Sequence, residues 1–240
     1  MNDRGQRFFV CGFGDPAAGV GALAWDLGEP GALLLTKAEG SRAATFALEE
    51  GGDAATLDIT AEDTAIEATL SPRTAEIPLG DQGGLTVSVC VAEVTPRDGS
   101  QSFQCSGQIS RWTADPLEGA GTFRQLAIDA GDQALLVVEA RGEPGAEHGD
   151  ERPRAWLIRG EDDARFEDAF ISTQYDGNGV PTRFGLELWP EEAERASRAA
   201  ATRVAASSEG SVGVGNAWAG LFRCQTDGIL GLGSYLLWRA

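Results

Sequence analysis

Glycine-bearing pairs that demand tight turns punctuate this chain, and their spacing limits what it can fold into. Gly51-Gly52, Gly83-Gly84, Asp98-Gly99 and Asp227-Gly228 fall between short runs of β-branched, aromatic and alternating apolar residues. Such runs occupy residues 7–13, 32–37, 43–48, 54–60, 65–70, 85–94 and 100–112. They continue at 122–128, 134–140, 154–159, 170–175, 183–189, 218–224 and 230–238. Short strands recurring every ~10–15 residues, with turn chemistry between them, predict an all-β, antiparallel barrel or sandwich. A parallel sheet would need a helix in each crossover, and nearly every gap is too short or too rich in glycine. The segment 190–206 is the exception by propensity, with Pro190 at a first-turn position followed by Glu-Glu-Ala-Glu-Arg and a run of alanines. As a helix it would have little to bury, so the expectation is a helical turn or loop over 190–195 and a strand near 198–206.

The 240 residues suffice for one large domain or two of roughly 100–120 residues. A weak internal echo favours two. Phe103-Gln104-Cys105 leads to Gly107 and Trp112, and Phe222-Arg223-Cys224 leads to Gly228 and Trp238. The expected units are 1–113 and 122–240, joined by a linker over 114–121. With 37 acidic against 19 basic residues the net charge is −18, a field that repels phosphate backbones and anionic lipid. Neither a nucleic-acid nor a membrane partner is expected. No run has the ~18 apolar residues of a membrane span, and residues 1–10 lack the plan of a secretory signal, so a cytoplasmic location is expected. Cys11, Cys90, Cys105 and Cys224 stand singly in apolar runs and read as buried free thiols.

Several motifs have ordinary explanations. Gly12-Phe13-Gly14-Asp15-Pro16-Ala17 follows a strand-like run as a dinucleotide fingerprint would, but Gly19 and Gly21 interrupt the helix that must follow. His148, the single histidine, lies among acids in a run, 142–153, that reads as a solvated loop. Asp176-Gly177-Asn178-Gly179 opens like a calcium loop yet lacks the later ligands, and reads as a hairpin turn. Solitary thiols give no metal site, and no cofactor is expected.

Six tryptophans point either to core filling or to a pocket wall with one N–H donor each. The candidate ligand contacts are Trp112, Arg124, Trp156, Tyr175 and Trp189. Glu187 and Tyr175 are the candidate acid–base groups. Along 183–189, Arg183, Glu187 and Trp189 share one face and Phe184, Leu186 and Leu188 the other. Glu187 is therefore either a solvent-facing partner of Arg198 or Arg203, or part of a second, ligand-hiding layer.

The run ISTQYDGNGVPTRFGLELW, from Ile171 to Trp189, resembles the late segment of the AttH and carotenoid 1,2-hydratase (hydroxyneurosporene synthase) family. Phe222-Arg223-Cys224, Asp227-Gly228 and Gly231-Leu232-Gly233-Ser234-Tyr235 resemble its closing hairpin. The resemblance implies two packed calycin-like (lipocalin-like) barrels or half-barrels. Members with assigned chemistry carry a central motif with His and Trp; Ser110-Arg111-Trp112 has the Trp and no His, so hydratase activity does not carry over and no catalytic residue can be mapped. The expected function is binding of a small apolar, isoprenoid- or polyketide-like molecule, with any acid–base chemistry left to carboxylates, Tyr or Arg. A non-catalytic β scaffold acting on a protein partner, and a carbohydrate-binding sandwich, are the alternatives.

Overall fold

The computed structural model describes residues 8–15, 20–27, 30–36, 40–51, 54–62, 64–74, 76–79, 84–131, 134–160, 162–191, 195–206, 210–212 and 215–239. The first half contains β1 (Phe8–Asp15), β2 (Val20–Leu27), β3 (Pro30–Thr36), β4 (Gly40–Gly51), β5 (Ala54–Ala61), β6 (Thr64–Pro72), β7 (Ile77–Leu79), β8 (Leu85–Pro96) and β9 (Phe103–Trp112). The second contains β10 (Thr122–Asp129), β11 (Ala134–Gly142), β12 (Arg152–Arg159), β13 (Asp162–Tyr175), β14 (Pro181–Pro190), β15 (Ser197–Ala206), β16 (Gly210–Val212), β17 (Gly215–Thr226) and β18 (Ile229–Arg239). Among the described residues the helical content is one 3-10 turn, His148–Asp150.

The chain divides into two compact units, Met1–Pro116 and Leu117–Ala240. In the first, strands run β6-β5-β4-β3-β2-β1-β9-β8, and a β6–β8 pairing closes them into an eight-stranded antiparallel barrel with β7 on the flank of β8. The second repeats this order as β15-β14-β13-β12-β11-β10-β18-β17, closed by β15–β17, with β16 beside β17. Among the described residues, closure leaves no long unpaired edge in either barrel. The fold class expected from the turn spacing is the one observed.

Alternation puts one residue set of each strand inside. The first barrel is filled by Phe9, Cys11, Leu34, Leu57, Ile59, Leu70, Val94 and Ile109, among others. The second holds Leu126, Ile128, Val138, Phe184, Leu186, Trp218, Phe222, Tyr235 and Leu237. Strands β10 and β18 bury both faces, so neither FRQLAI nor SYLLW alternates apolar inside with polar outside.

Three local expectations needed correction. Strand β2 was not anticipated, because Gly19, Gly21 and the alanines on either side of them look like a loop; Ala22 and Ala24 are instead the small inward residues of a strand. β13 begins at Asp162, well before residue 170, since only Phe166 and Ala169 of its polar first half contribute to the interior. The two Phe-x-Cys echoes lie on β9 and β17, which hold different places in their barrels. Segment 197–206 is strand β15, as its weak apolar face suggested, while residues 192–194 of the expected helical turn lie outside the described residues. The fingerprint position Ala17 also lies outside them; Gly12 and Gly14 are within β1. Asp227 adopts φ 46° and Gly228 φ 90°, the left-handed pair that a two-residue hairpin between β17 and β18 requires.

Candidate functional site

The second barrel carries a chain of polar side chains at the end where β10 and β12 begin and β13 and β18 finish. Its centre is Arg124. On β10, residues 124, 126 and 128 share the inward face, so the alternation that buries Leu126 and Ile128 also carries the guanidinium inside. Arg124 Nε donates to Glu151 Oε2 at 2.5 Å, and both side chains are 3% exposed. Arg124 Nη1 donates to the hydroxyl of Tyr235, which is fully buried on β18. Tyr235 in turn lies 3.4 Å from Thr173 Oγ1 on β13. At the other end, His148 Nδ1 lies 3.2 Å from the same Glu151 oxygen.

The order of these contacts assigns the protons. A carboxylate only accepts, so His148 turns its Nδ1–H toward Glu151, and in the neutral ring Nε2 is left as a lone pair. Nε2 is buried and has no hydrogen-bond partner. The Tyr235 oxygen accepts from Arg124, which leaves its own proton for Thr173 or for a ligand oxygen. Burial alone would raise the Glu151 carboxyl, but hydrogen bonds from His148 and Arg124 outweigh it and hold the group below the usual range. Burial would likewise weaken the Arg124 cation, and the acidic groups beside it, with the Glu151 carboxylate both hydrogen-bonded and charge-paired to it, more than offset that. Burial pushes the Tyr235 phenol upward, only partly countered by Arg124, so it stands as a neutral donor at physiological pH.

Aromatic rings pack around this donor. The Trp218 ring meets Tyr235 edge-on at 5.9 Å between centroids, Phe184 does so at 5.5 Å, and Phe222 tilts over it at 5.8 Å. The Trp218 indole N–H is buried with no partner. Its ring sits where Gly220 has no side chain: a Cβ there would collide with Trp218 and come to 2.9 Å of Phe222. Tyr175 closes the rim, with His148 at 6.4 Å on one side and the exposed Arg239 guanidinium 5.4 Å above its ring.

Of the candidate residues named from the sequence, the structure brings Arg124 and Tyr175 to this cluster. Trp156 and Trp112 are buried, but each alternates with the inward residues of its strand and lies on the outer face. Trp189 and Glu187 are on the outer face of β14, Trp189 36% exposed and Glu187 paired with Arg198 at 3.0 Å. His148 and Glu151 correct the expectation of a solvated loop over 142–153, because Glu151 turns inward to Arg124. Glu151, Tyr235, Trp218 and Thr173 were not foreseen. The available signal was parity: Tyr235 two residues from Leu237, like Arg124 two from Leu126, is a polar group on an otherwise apolar inward face. The calcium-like Asp176 instead caps its own turn, accepting from the N–H of Asn178 and Val180 at 3.0 Å each, with Arg203 alongside.

The first barrel supplies an internal control. Register pairs Phe8 with Trp112 across β1 and β9, and Phe123 with Trp238 across β10 and β18. Matched on those pairs, Phe9 corresponds to Arg124 and Ile109 to Tyr235. The same barrel thus closes in the first unit with apolar groups where the second has its ion pair and phenol.

No protein-family model and no curated protein matches the sequence. Solved structures do match it. A protein assigned as AttH (NE1406) from Nitrosomonas europaea has a TM-score of 0.68 at 12% identity, over 97% of this chain and 91% of that one. Kievitone hydratase from Nectria haematococca gives 0.64 at 10% identity, over 98% of this chain and 88% of that one. CghA, in complex with Sch210972, gives 0.58 at 10% identity, over 97% and 88%. These likenesses establish the fold: two antiparallel eight-stranded barrels in one chain, as in AttH-like proteins.

Proposed function

We propose that the interior of the second barrel binds a small, mainly apolar molecule with an oxygen function that meets Tyr235. The observation that carries this reading is the pairing of a buried phenol donor with the unpartnered Trp218 N–H among the apolar side chains that fill this barrel. A buried donor without an acceptor costs about 1–3 kcal/mol, and a ligand oxygen would relieve that cost. The first barrel supports it too, because Phe9 and Ile109 show that the fold does not need these polar groups. The named activity of kievitone hydratase and the compound held by CghA belong to those proteins, and they favour small-molecule binding on this fold.

The same groups equip the site for proton transfer. Tyr235 donates to a ligand oxygen and polarises it, held in place by the hydrogen bond that its own oxygen accepts from Arg124. His148 Nε2 is the proton acceptor, oriented by Glu151 through Nδ1. Tyr175 lies between that imidazole and Arg239 at the rim, where it would line the entry. An isoprenoid- or polyketide-like skeleton, the class that the family resemblance implies, would present one such oxygen on a mainly apolar body.

Native mass spectrometry of the full chain from its own host tests the reading. Wild-type protein is expected to carry a small molecule that Tyr235→Phe and Trp218→Phe retain at several-fold lower occupancy. Retention unaffected by both changes would place the ligand elsewhere. An empty wild type that also fails to take up apolar ketones would remove the reading.

A further inference from the structure

The buried charges of this site cancel. Among the described residues Arg124 and Glu151 are the only buried charged side chains, and they face each other. We infer that the site selects an uncharged oxygen function, a ketone, enone or alcohol, and rejects carboxylates and other anions, because Glu151 already neutralises the one buried guanidinium. This rests on the binding proposed above and specifies its ligand.

An anion entering the barrel would give up its hydration and meet a cation whose charge is already satisfied, leaving one net negative charge among Phe184, Phe222, Leu126 and Leu237. A ketone oxygen asks only for donors, and Tyr235 O–H and Trp218 N–H are both neutral ones. The other cation near the site, Arg239, is exposed and lies over Tyr175, so it is hydrated and offers an anion little. The net charge of −18 acts in the same sense, lowering the local concentration of anions before any contact is made. Glu151 is thereby a specificity-determining residue that need not touch the ligand.

The test uses two probes of matched shape, 2-acetylnaphthalene and 2-naphthoate, titrated into the full chain by calorimetry at neutral pH, where the acid is ionised. Wild type is expected to bind the ketone at least roughly tenfold more tightly than the acid. Glu151→Gln frees the Arg124 charge, and the ratio is expected to fall at least tenfold toward the carboxylate, which can then pair with the guanidinium. If Glu151→Gln does not fold, Arg124→Met/Glu151→Met removes both charges and is expected to keep the ketone preference. Equal affinities in wild type or in the folded double variant, or a ratio unchanged in folded Glu151→Gln, overturn the charge selection while leaving binding in place. Failure of wild type to bind either probe, or ketone binding indifferent to Tyr235→Phe, overturns the binding reading and this inference with it.

Discussion

Glu151 shows how one residue couples stability to pH. Its carboxyl is held below the ordinary range in the folded protein by hydrogen bonds from His148 and Arg124 that outweigh burial. A depressed folded pKa gives stability that is fully present above the unfolded value, near 4.3, and is lost as pH falls through the folded one. Wild type is therefore expected to lose more melting temperature between pH 6 and pH 3 than Glu151→Gln does, by differential scanning calorimetry. At pH 7 the variant should be destabilised by ~3–5 kcal/mol, because Arg124 keeps its charge without a partner. Gly220 is the second residue with a sharp consequence. The space its missing side chain leaves is filled by the rings of Trp218 and Phe222. Gly220→Ala is expected to cost ~1–3 kcal/mol and to shift tryptophan emission, as over-packing turns the indole out of its place. An unchanged spectrum and melting point would show that the ring is not seated there.

At the scale of elements, β14 separates a structural charge from a site charge. Its inward residues Phe184, Leu186 and Leu188 are buried, while Glu187 on the other face is 48% exposed and pairs with Arg198, directly opposite on β15. An exposed pair is worth only ~0–1 kcal/mol, so Glu187→Ala should move the melting temperature by little and leave ligand retention intact. A loss of retained ligand in that variant would return Glu187 to the functional residues. The closing hairpin owes its composition to its neighbours. A Cβ at Gly233 would come to 2.6 Å of Cys224 Sγ, and one at Gly231 would collide with the Asp129 carbonyl of β10. The Gly-Leu-Gly run marks close strand approach toward the end of the barrel away from Arg124.

Across the whole molecule, the thiols report how completely each barrel is filled. None of the four cysteines is in a disulfide, and Cys11, Cys90 and Cys224 are buried while Cys105 is half-buried. Burial pushes both Cys90 and Cys224 up to about 12. In native protein Cys105 is expected to react first with a thiol reagent, the others following at the rate of unfolding, and four groups should appear in denaturant without reductant. Fewer than four would reveal a disulfide. No helix among the described residues is long and apolar enough to cross a membrane.

The sequence by itself determined the fold class and much of the strand list, because turn chemistry and side-chain alternation act between residues a few positions apart. Asp227-Gly228 and the inward parity of Phe184, Leu186 and Leu188 could be read without knowing what lay opposite. Strand β2 escaped because small inward residues are demanded by the barrel's curvature and not by local propensity. The site escaped for a related reason. Arg124 and Tyr235 are 111 residues apart and become neighbours only when β18 pairs with β10 to complete the second barrel. Whether Arg124 was a surface charge or a buried one depended on Glu151, and Glu151 turns inward only because barrel closure places a guanidinium within its reach. Tertiary structure decided the site, since a buried charge persists only beside the partner that compensates it.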